Sequence, residues 1–137
     1  MALDIGTKRI GVALSDYLLV LANGHSCLER NSNAISKIKE IAKENNVKKI
    51  VIGIPYNMDG TEGSQAEDCK NFALNFSDYE VIYEDERLTS EQAEENLRNR
   101  KIDFRKNKGL VDIESASIIL QQYLERNENY GRRRSDY

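Results

Sequence analysis

The apolar residues follow two rhythms along the chain. Ala2-Leu3-Asp4 reads as a short strand that ends in Ile5-Gly6-Thr7-Lys8, and Ile10-Gly11-Val12-Ala13-Leu14 as a second strand reached by a tight hairpin. A weaker third strand is centred on Ser26-Cys27-Leu28. Over residues 33–45 the period lengthens: Ile35, Ile38, Ile41 and Ala42 recur at helical spacing with lysines and glutamates between them. Lys49-Ile50-Val51-Ile52-Gly53-Ile54 is an apolar run of the kind expected for a strand buried on both faces, and Pro55 stops it.

Residues 56–63 form a polar loop. Ser64-Gln65-Ala66-Glu67 has the form of a capping box and opens a helix to about Phe76. Glu80 to Glu86 reads as a fifth strand, and Thr89-Ser90-Glu91-Gln92 as a second capping box that starts a helix to about Arg98. A basic loop covers residues 99–109, and a last helix covers 110–125. Three strands joined by short turns make an antiparallel meander. The two later strands, each preceded by a helix, enter as parallel strands through right-handed crossovers. The expected fold is α/β, with a mixed five-stranded sheet (three strands antiparallel, two parallel) and helices on both faces. Residues 1–125 are expected to form one domain and residues 126–137 a basic, flexible tail.

The chain has 137 residues, enough for one self-sufficient core. No apolar run approaches the roughly 20 residues of a membrane helix. Met1-Ala2-Leu3-Asp4 meets a charge at once, which does not fit a secretory signal. Cys27 and Cys69 match neither a disulfide framework nor a paired-cysteine metal site, so reduced thiols and a cytoplasmic location are expected. His25 is the sole histidine. Chemistry is therefore expected from carboxylates, hydroxyls and backbone.

Charge is unevenly spread. Residues 1–97 hold 10 Lys+Arg against 17 Asp+Glu, a net of −7, and residues 98–137 hold 10 against 6, a net of +4. An acidic body with a basic end suits an anionic partner that touches one side, although solvated surface charge gives the same statistic.

Three acids stand out by position. Asp4 ends the first strand, where a carboxylate loses hydration unless it makes a local turn. Asp85 and Glu86 end the fifth strand, and strand alternation lets only one of them share the side that Asp4 faces. Asp112 opens the last helix, where it is either an N-cap or pressed toward the strand ends by the small residues Ser115 and Ala116 on its face. Strand ends are where α/β sheets build sites. Carboxylates that gather there repel one another unless a hard cation lies between them, and oxygen-only ligands favour Mg²⁺ or Mn²⁺ over zinc. Such an ion can activate water against a phosphodiester.

Four segments resemble the signatures of the YqgF (RuvX) family: Asp4-x-Gly6-Thr7-Lys8-Arg9-Ile10-Gly11-Val12-Ala13, Ile52-Gly53-Ile54-Pro55-Tyr56-Asn57-Met58-Asp59-Gly60-Thr61-Glu62, Asp85-Glu86-Arg87-Leu88-Thr89-Ser90 and Lys108-Gly109-Leu110-Val111-Asp112-x-x-Ser115-Ala116. The resemblance implies a ribonuclease H-like fold. It also implies a cytoplasmic nuclease that matures the precursor of 16S ribosomal RNA, and catalytic, metal-holding acids at Asp4, Glu86 and Asp112. RuvC-type resolvases carry a further acid where Ser115 stands, so one well-held Mg²⁺ is expected, with a second arriving with substrate.

Lys8 and Arg9 are candidates for the scissile phosphate, and Asn57 for the rim of the site. Residues 98–108 hold six Lys+Arg and only Asp103 as an acid, a net of +5, so Arg105, Lys106 and Lys108 are candidate phosphate-backbone contacts. Arg132-Arg133-Arg134 beside Tyr130 is either an RNA contact or a solubilising end. The expected partner is nucleic acid: precursor ribosomal RNA, free or on ribosomal particles, or branched DNA. The alternatives are a Holliday junction resolvase, which must act as a dimer, and a non-catalytic RNA-binding assembly factor. No heptad announces a dimer, so a monomer or weak dimer is expected.

Overall fold

A computed structural model describes residues 1–87 and 89–135, with side chains described as far as residue 127. The strands are β1 (Ala2–Ile5), β2 (Arg9–Ser15), β3 (Ala22–Glu29), β4 (Lys49–Ile54) and β5 (Glu80–Asp85). The helices are α1 (Ala34–Glu44), α2 (Ser64–Ala73, extended by a 3-10 turn over Leu74–Phe76), α3 (Thr89–Asn99) and α4 (Gly109–Ser135). The strands lie in the order β3-β2-β1-β4-β5. β1, β2 and β3 pair antiparallel, and β1–β4 and β4–β5 pair parallel, as the strand and crossover pattern predicts.

The two faces of the sheet differ in the size of their side chains. Leu3, Ile5, Ile10, Val12, Ile50, Ile52 and Ile54 point to one face, where they pack with Ile38 and Ala42 of α1 and Ala66, Cys69 and Phe72 of α2. The alternate positions carry Ala2, Asp4, Gly11, Ala13, Val51 and Gly53. On that face Ala2, Ala13 and Val51 pack against Ala116, Ile119, Leu120 and Leu124 of α4. A floor of alanine and glycine lets α4 cross the sheet at close range. The start of α4 is thereby laid over β2 and β3, against Gly11 and Gly24, which sets Asp112 beside the end of β1.

Three local expectations need correction. β3 is a full strand paired with β2 from Arg9↔Glu29 to Ser15↔Ala22, with one irregularity between Val12 and Ala13, rather than a short weak segment. The N-cap of α2 is Gly63 with no side-chain cap bond, so the Ser64 box does not form and Ser64 is the first helical residue. The last helix does not end at residue 125. Nothing in Arg126-Asn127-Glu128-Asn129-Tyr130 breaks a helix, and Arg126 is fixed to β5: its Nη1 and Nη2 donate to Glu84 Oε1 and Oε2 at 2.8 and 2.6 Å. Glu84 is 5% exposed. The side chains of Arg132-Arg133-Arg134 and of Tyr130 lie outside the described residues.

Candidate active site

An open cleft of about 710 Å³ lies at the carboxyl ends of β1, β4 and β5. Asp4, Lys8, Arg9, Asn57, Glu86 and Asp112 all line it, together with Gly6, Tyr56, Arg87 and Thr89.

Asp4 projects from β1 on the α4 side. Glu86 follows the last residue of β5, which is separated from β1 by the whole width of β4. To meet Asp4, the Glu86 side chain must pass over β4, and it does so above Gly53. A Cβ at position 53 would stand 3.0 Å from Glu86 Oε2 and 2.5 Å from Ile119 Cδ1. The Glu86 backbone is pinned by its amide, which donates to Ile54 O at 3.2 Å. The carboxyl groups of Asp4 and Glu86 stand close enough for each to perturb the other.

Both carboxyls sit at the cleft floor beneath enough protein to lose much of their hydration. Burial, above all, pushes each well above the usual carboxylate range. The nearby charge of Asp112 adds to the rise at Asp4, and that of Asp4 to the rise at Glu86. Each carboxyl therefore holds its proton more tightly than an ordinary carboxylate does. Asp85 points the other way: it is exposed and ion-paired with Arg87 at 2.8 Å, and its carboxyl is held below its ordinary value.

Asp112 is the fourth residue of α4, not its cap. Asn107, two residues ahead of the helix, accepts the Gly109 amide at Oδ1 at 3.2 Å. The Asp112 carboxylate is turned toward β2, where Arg9 Nε donates to Oδ2 at 2.7 Å and Cys27 Sγ lies at 3.8 Å. Burial first, and then the charge of Asp112, push the Cys27 thiol up. Asp4 and Glu86 are thus neighbours, and Asp112, on the same cleft, is paired with Arg9. Among the described residues, no three carboxylate, histidine or cysteine side chains stand close enough to share one ion. Arg9 supplies Asp112 with the positive charge that a cation would otherwise supply. The donor chemistry nonetheless fits a hard divalent cation: Asp4 and Glu86 are neighbouring oxygen ligands with no ion-pair partner among the described residues, and Asp112 lines the same cleft.

The other candidates fall in two groups. Lys8 is exposed at the cleft, and the turn that carries Lys8 and Arg9 is clamped by Arg30. Arg30 bonds Gly6 O at 3.0 Å and grips Asp68 of α2 at 2.6 and 2.8 Å. Asn57 faces its own loop, with Nδ2 donating to Thr61 Oγ1 at 3.0 Å. Arg105, Lys106 and Lys108 are exposed but do not line the cleft, and Arg105 pairs with Asp103 at 3.3 Å. Arg98 and Arg100 pair with Glu94 and Glu114, so the basic stretch is partly neutralised. The sequence reading missed Arg30, Asp68 and Thr89. Arg30 and Asp68 are 38 residues apart, and no local pattern links them; Thr89 looked like a helix cap.

Known proteins share this arrangement of sequence. A family model described as RuvX, Holliday junction resolvase, matches residues 1–126. A protein of Gloeothece citriformis named "Putative pre-16S rRNA nuclease" is 43% identical over 130 residues, which is 91% of this chain and 86% of that protein. A protein of the same name from Crocosphaera subtropica is 45% identical over 130 residues, 91% of each chain. The match runs from Asp4 through Glu86 to Asp112 and takes in every residue that builds the cleft, so the chain belongs to the RuvX family.

Proposed function

We propose that the protein is a metal-dependent endonuclease that hydrolyses phosphodiester bonds in the precursor of 16S ribosomal RNA, in the cytoplasm. The observation that carries this reading is the Asp4–Glu86 pair, two adjacent carboxyls at the floor of an open cleft with no ion-pair partner among the described residues. The names of the relatives support the choice of RNA. Asp4 and Glu86 would hold Mg²⁺ or Mn²⁺, with Asp112 as a third ligand in exchange for Arg9. Such an ion supplies Lewis-acid stabilisation of the charge that develops on the phosphodiester. Lys8, exposed at the cleft, and Arg9, once free of Asp112, neutralise the phosphate and orient it. The open form of the cleft admits a polymer rather than enclosing a small molecule.

The description of the matching family favours a second reading, resolution of four-way DNA junctions. One assay separates the two. Wild-type protein is offered precursor 16S RNA, naked and in ribosomal particles, and a four-way DNA junction, each with Mg²⁺, Mn²⁺ or EDTA. RNA cleavage with the cations and none in EDTA supports the proposal. Symmetric cutting of the junction alone, by a dimer, supports the second reading.

A further inference from the structure

The start of α3 forms a wall of the cleft to which the reading above gives no role. Thr89 is 3% exposed and lines the cleft, while its Oγ1 is enclosed in this rotamer and has no hydrogen-bond partner among the described residues. A buried hydroxyl is nearly always paired, because leaving it unpaired forfeits its hydration. Its position is fixed: the Thr89 amide donates to Glu86 O at 3.0 Å, which sets the hydroxyl one turn beyond the candidate metal ligand. The next two residues, Ser90 and Glu91, also line the cleft. Their amides belong to the first turn of an 11-residue helix, and neither meets a backbone acceptor among the described residues. The aligned peptides give this end of α3 a partial positive charge.

We propose that the Thr89 hydroxyl, turned into the cleft by rotation about χ1, and the amides of Ser90 and Glu91 bind a backbone phosphate of the nucleic acid strand, beside the bond to be cut rather than at it. The inference rests on the nuclease reading. Neutral donors suit the place. Asp4 and Glu86 are close by, and a subsite made of hydroxyl and amides binds a singly charged phosphodiester without drawing those carboxylates into ion pairs. Lys8 and Arg87 on the same cleft offset the acidity, although Arg87 is partly committed to Asp85 and to Met58 O. A phosphate held here fixes the register of the strand against Glu86, because Thr89 and Glu86 are joined through backbone.

The test compares Thr89→Val, which keeps the shape and removes the hydroxyl, with Thr89→Ser, which keeps the hydroxyl. The probe is a short single-stranded RNA with 2′-O-methyl riboses. Its affinity is measured by fluorescence anisotropy in EDTA and again in Ca²⁺, so that repulsion by the free acids does not mask binding. Thr89→Val should bind about tenfold more weakly, the worth of one hydrogen bond to a charged acceptor, and Thr89→Ser within about twofold of wild type. The ¹⁵N–¹H resonances of Ser90 and Glu91 should shift with the RNA in wild type. The melting temperature of free Thr89→Val should match or exceed that of wild type, since the hydroxyl it loses is unpaired. Unchanged affinity in Thr89→Val, or unmoved Ser90 and Glu91 resonances with RNA bound, would overturn the subsite while cleavage by wild type left the nuclease reading standing. Absence of both binding and cleavage in wild type would overturn both.

Discussion

Gly53 lies directly beneath the Glu86 carboxylate, and a Cβ there would come within 3.0 Å of Oε2. Since β4 separates β5 from β1, this glycine is what lets Glu86 reach Asp4. Gly11 has the matching role on the other side of Asp4. It is paired with Asp4 across β1 and β2, and a Cβ there would stand 2.0 Å from the Asp112 carbonyl oxygen. The two glycines predict different variants. Gly11→Ala meets helix backbone, which cannot swing aside, so it should cost at least the roughly 1–3 kcal/mol of ordinary overpacking and displace Asp112. Gly53→Ala meets the tips of Ile119 and Glu86, which can move. It should cost less stability yet still uncouple Glu86 from Asp4. Denaturant melts joined to cleavage assays check the order. Equal stability losses would show that α4 is not tightly seated.

Asp85 and Glu86 are adjacent but differ in environment. Glu86→Gln should remove a carboxyl crowded by Asp4, abolish cleavage, and raise the metal-free melting temperature. Asp85→Asn should lose only an exposed ion pair with Arg87, worth about 0–1 kcal/mol, and retain most activity. Equal loss of activity in the two variants would mean that the catalytic face is misassigned.

The raised carboxyls set a pH dependence. A buried acid whose native-state affinity for protons exceeds its unfolded-state affinity stabilises the fold while protonated. Without metal, stability should therefore fall as pH rises from the ordinary carboxylate range, about 4, through the raised values of Asp4 and Glu86. A cation needs the ionised forms, so the stabilisation by Mn²⁺ should grow over the same span. Thermal melts from acid to mildly alkaline pH, with EDTA or Mn²⁺, measure both slopes. In Asp4→Asn/Glu86→Gln both should flatten.

The pair of Glu84 and Arg126 predicts how α4 is held beyond residue 125. Arg126→Ala strands a buried carboxylate and should cost about 2 kcal/mol, below the usual figure for a fully buried pair because Arg126 itself is largely exposed. Glu84→Leu in the same chain should recover most of that loss. Urea melts of the single and double variants test it, and no recovery would place the cost elsewhere.

Much of this was legible in the chain. The period of Ile35, Ile38 and Ile41 marked α1, and Ile50 to Ile54 marked a central strand. The glycines at 11 and 53 stood in two apolar runs, but nothing local said that α4 and Glu86 would come close above them. Asp4, Asp112 and one of Asp85 and Glu86 could be singled out as acids at strand ends and at a helix start, and the family resemblance chose Glu86. What the chain could not disclose were contacts between distant segments. Arg9 binds Asp112 across 103 residues, Arg30 binds Asp68, and Arg126 binds Glu84. Local pattern reports which face a residue takes, not which charge waits opposite. For that reason the basic stretch at 98–108 looked like a free track, whereas three of its arginines already have acidic partners.

The central claim is that Asp4 and Glu86 hold a catalytic cation. The most direct measurement is the Mn²⁺-dependent shift in melting temperature of wild type and Asp4→Asn, with cleavage of precursor 16S RNA followed in the same samples. The account predicts that wild type is stabilised by Mn²⁺ and cleaves. It predicts that Asp4→Asn is at least as stable as wild type in EDTA, is not stabilised by Mn²⁺, and does not cleave. An Asp4→Asn protein that keeps both the Mn²⁺ shift and full cleavage would contradict it.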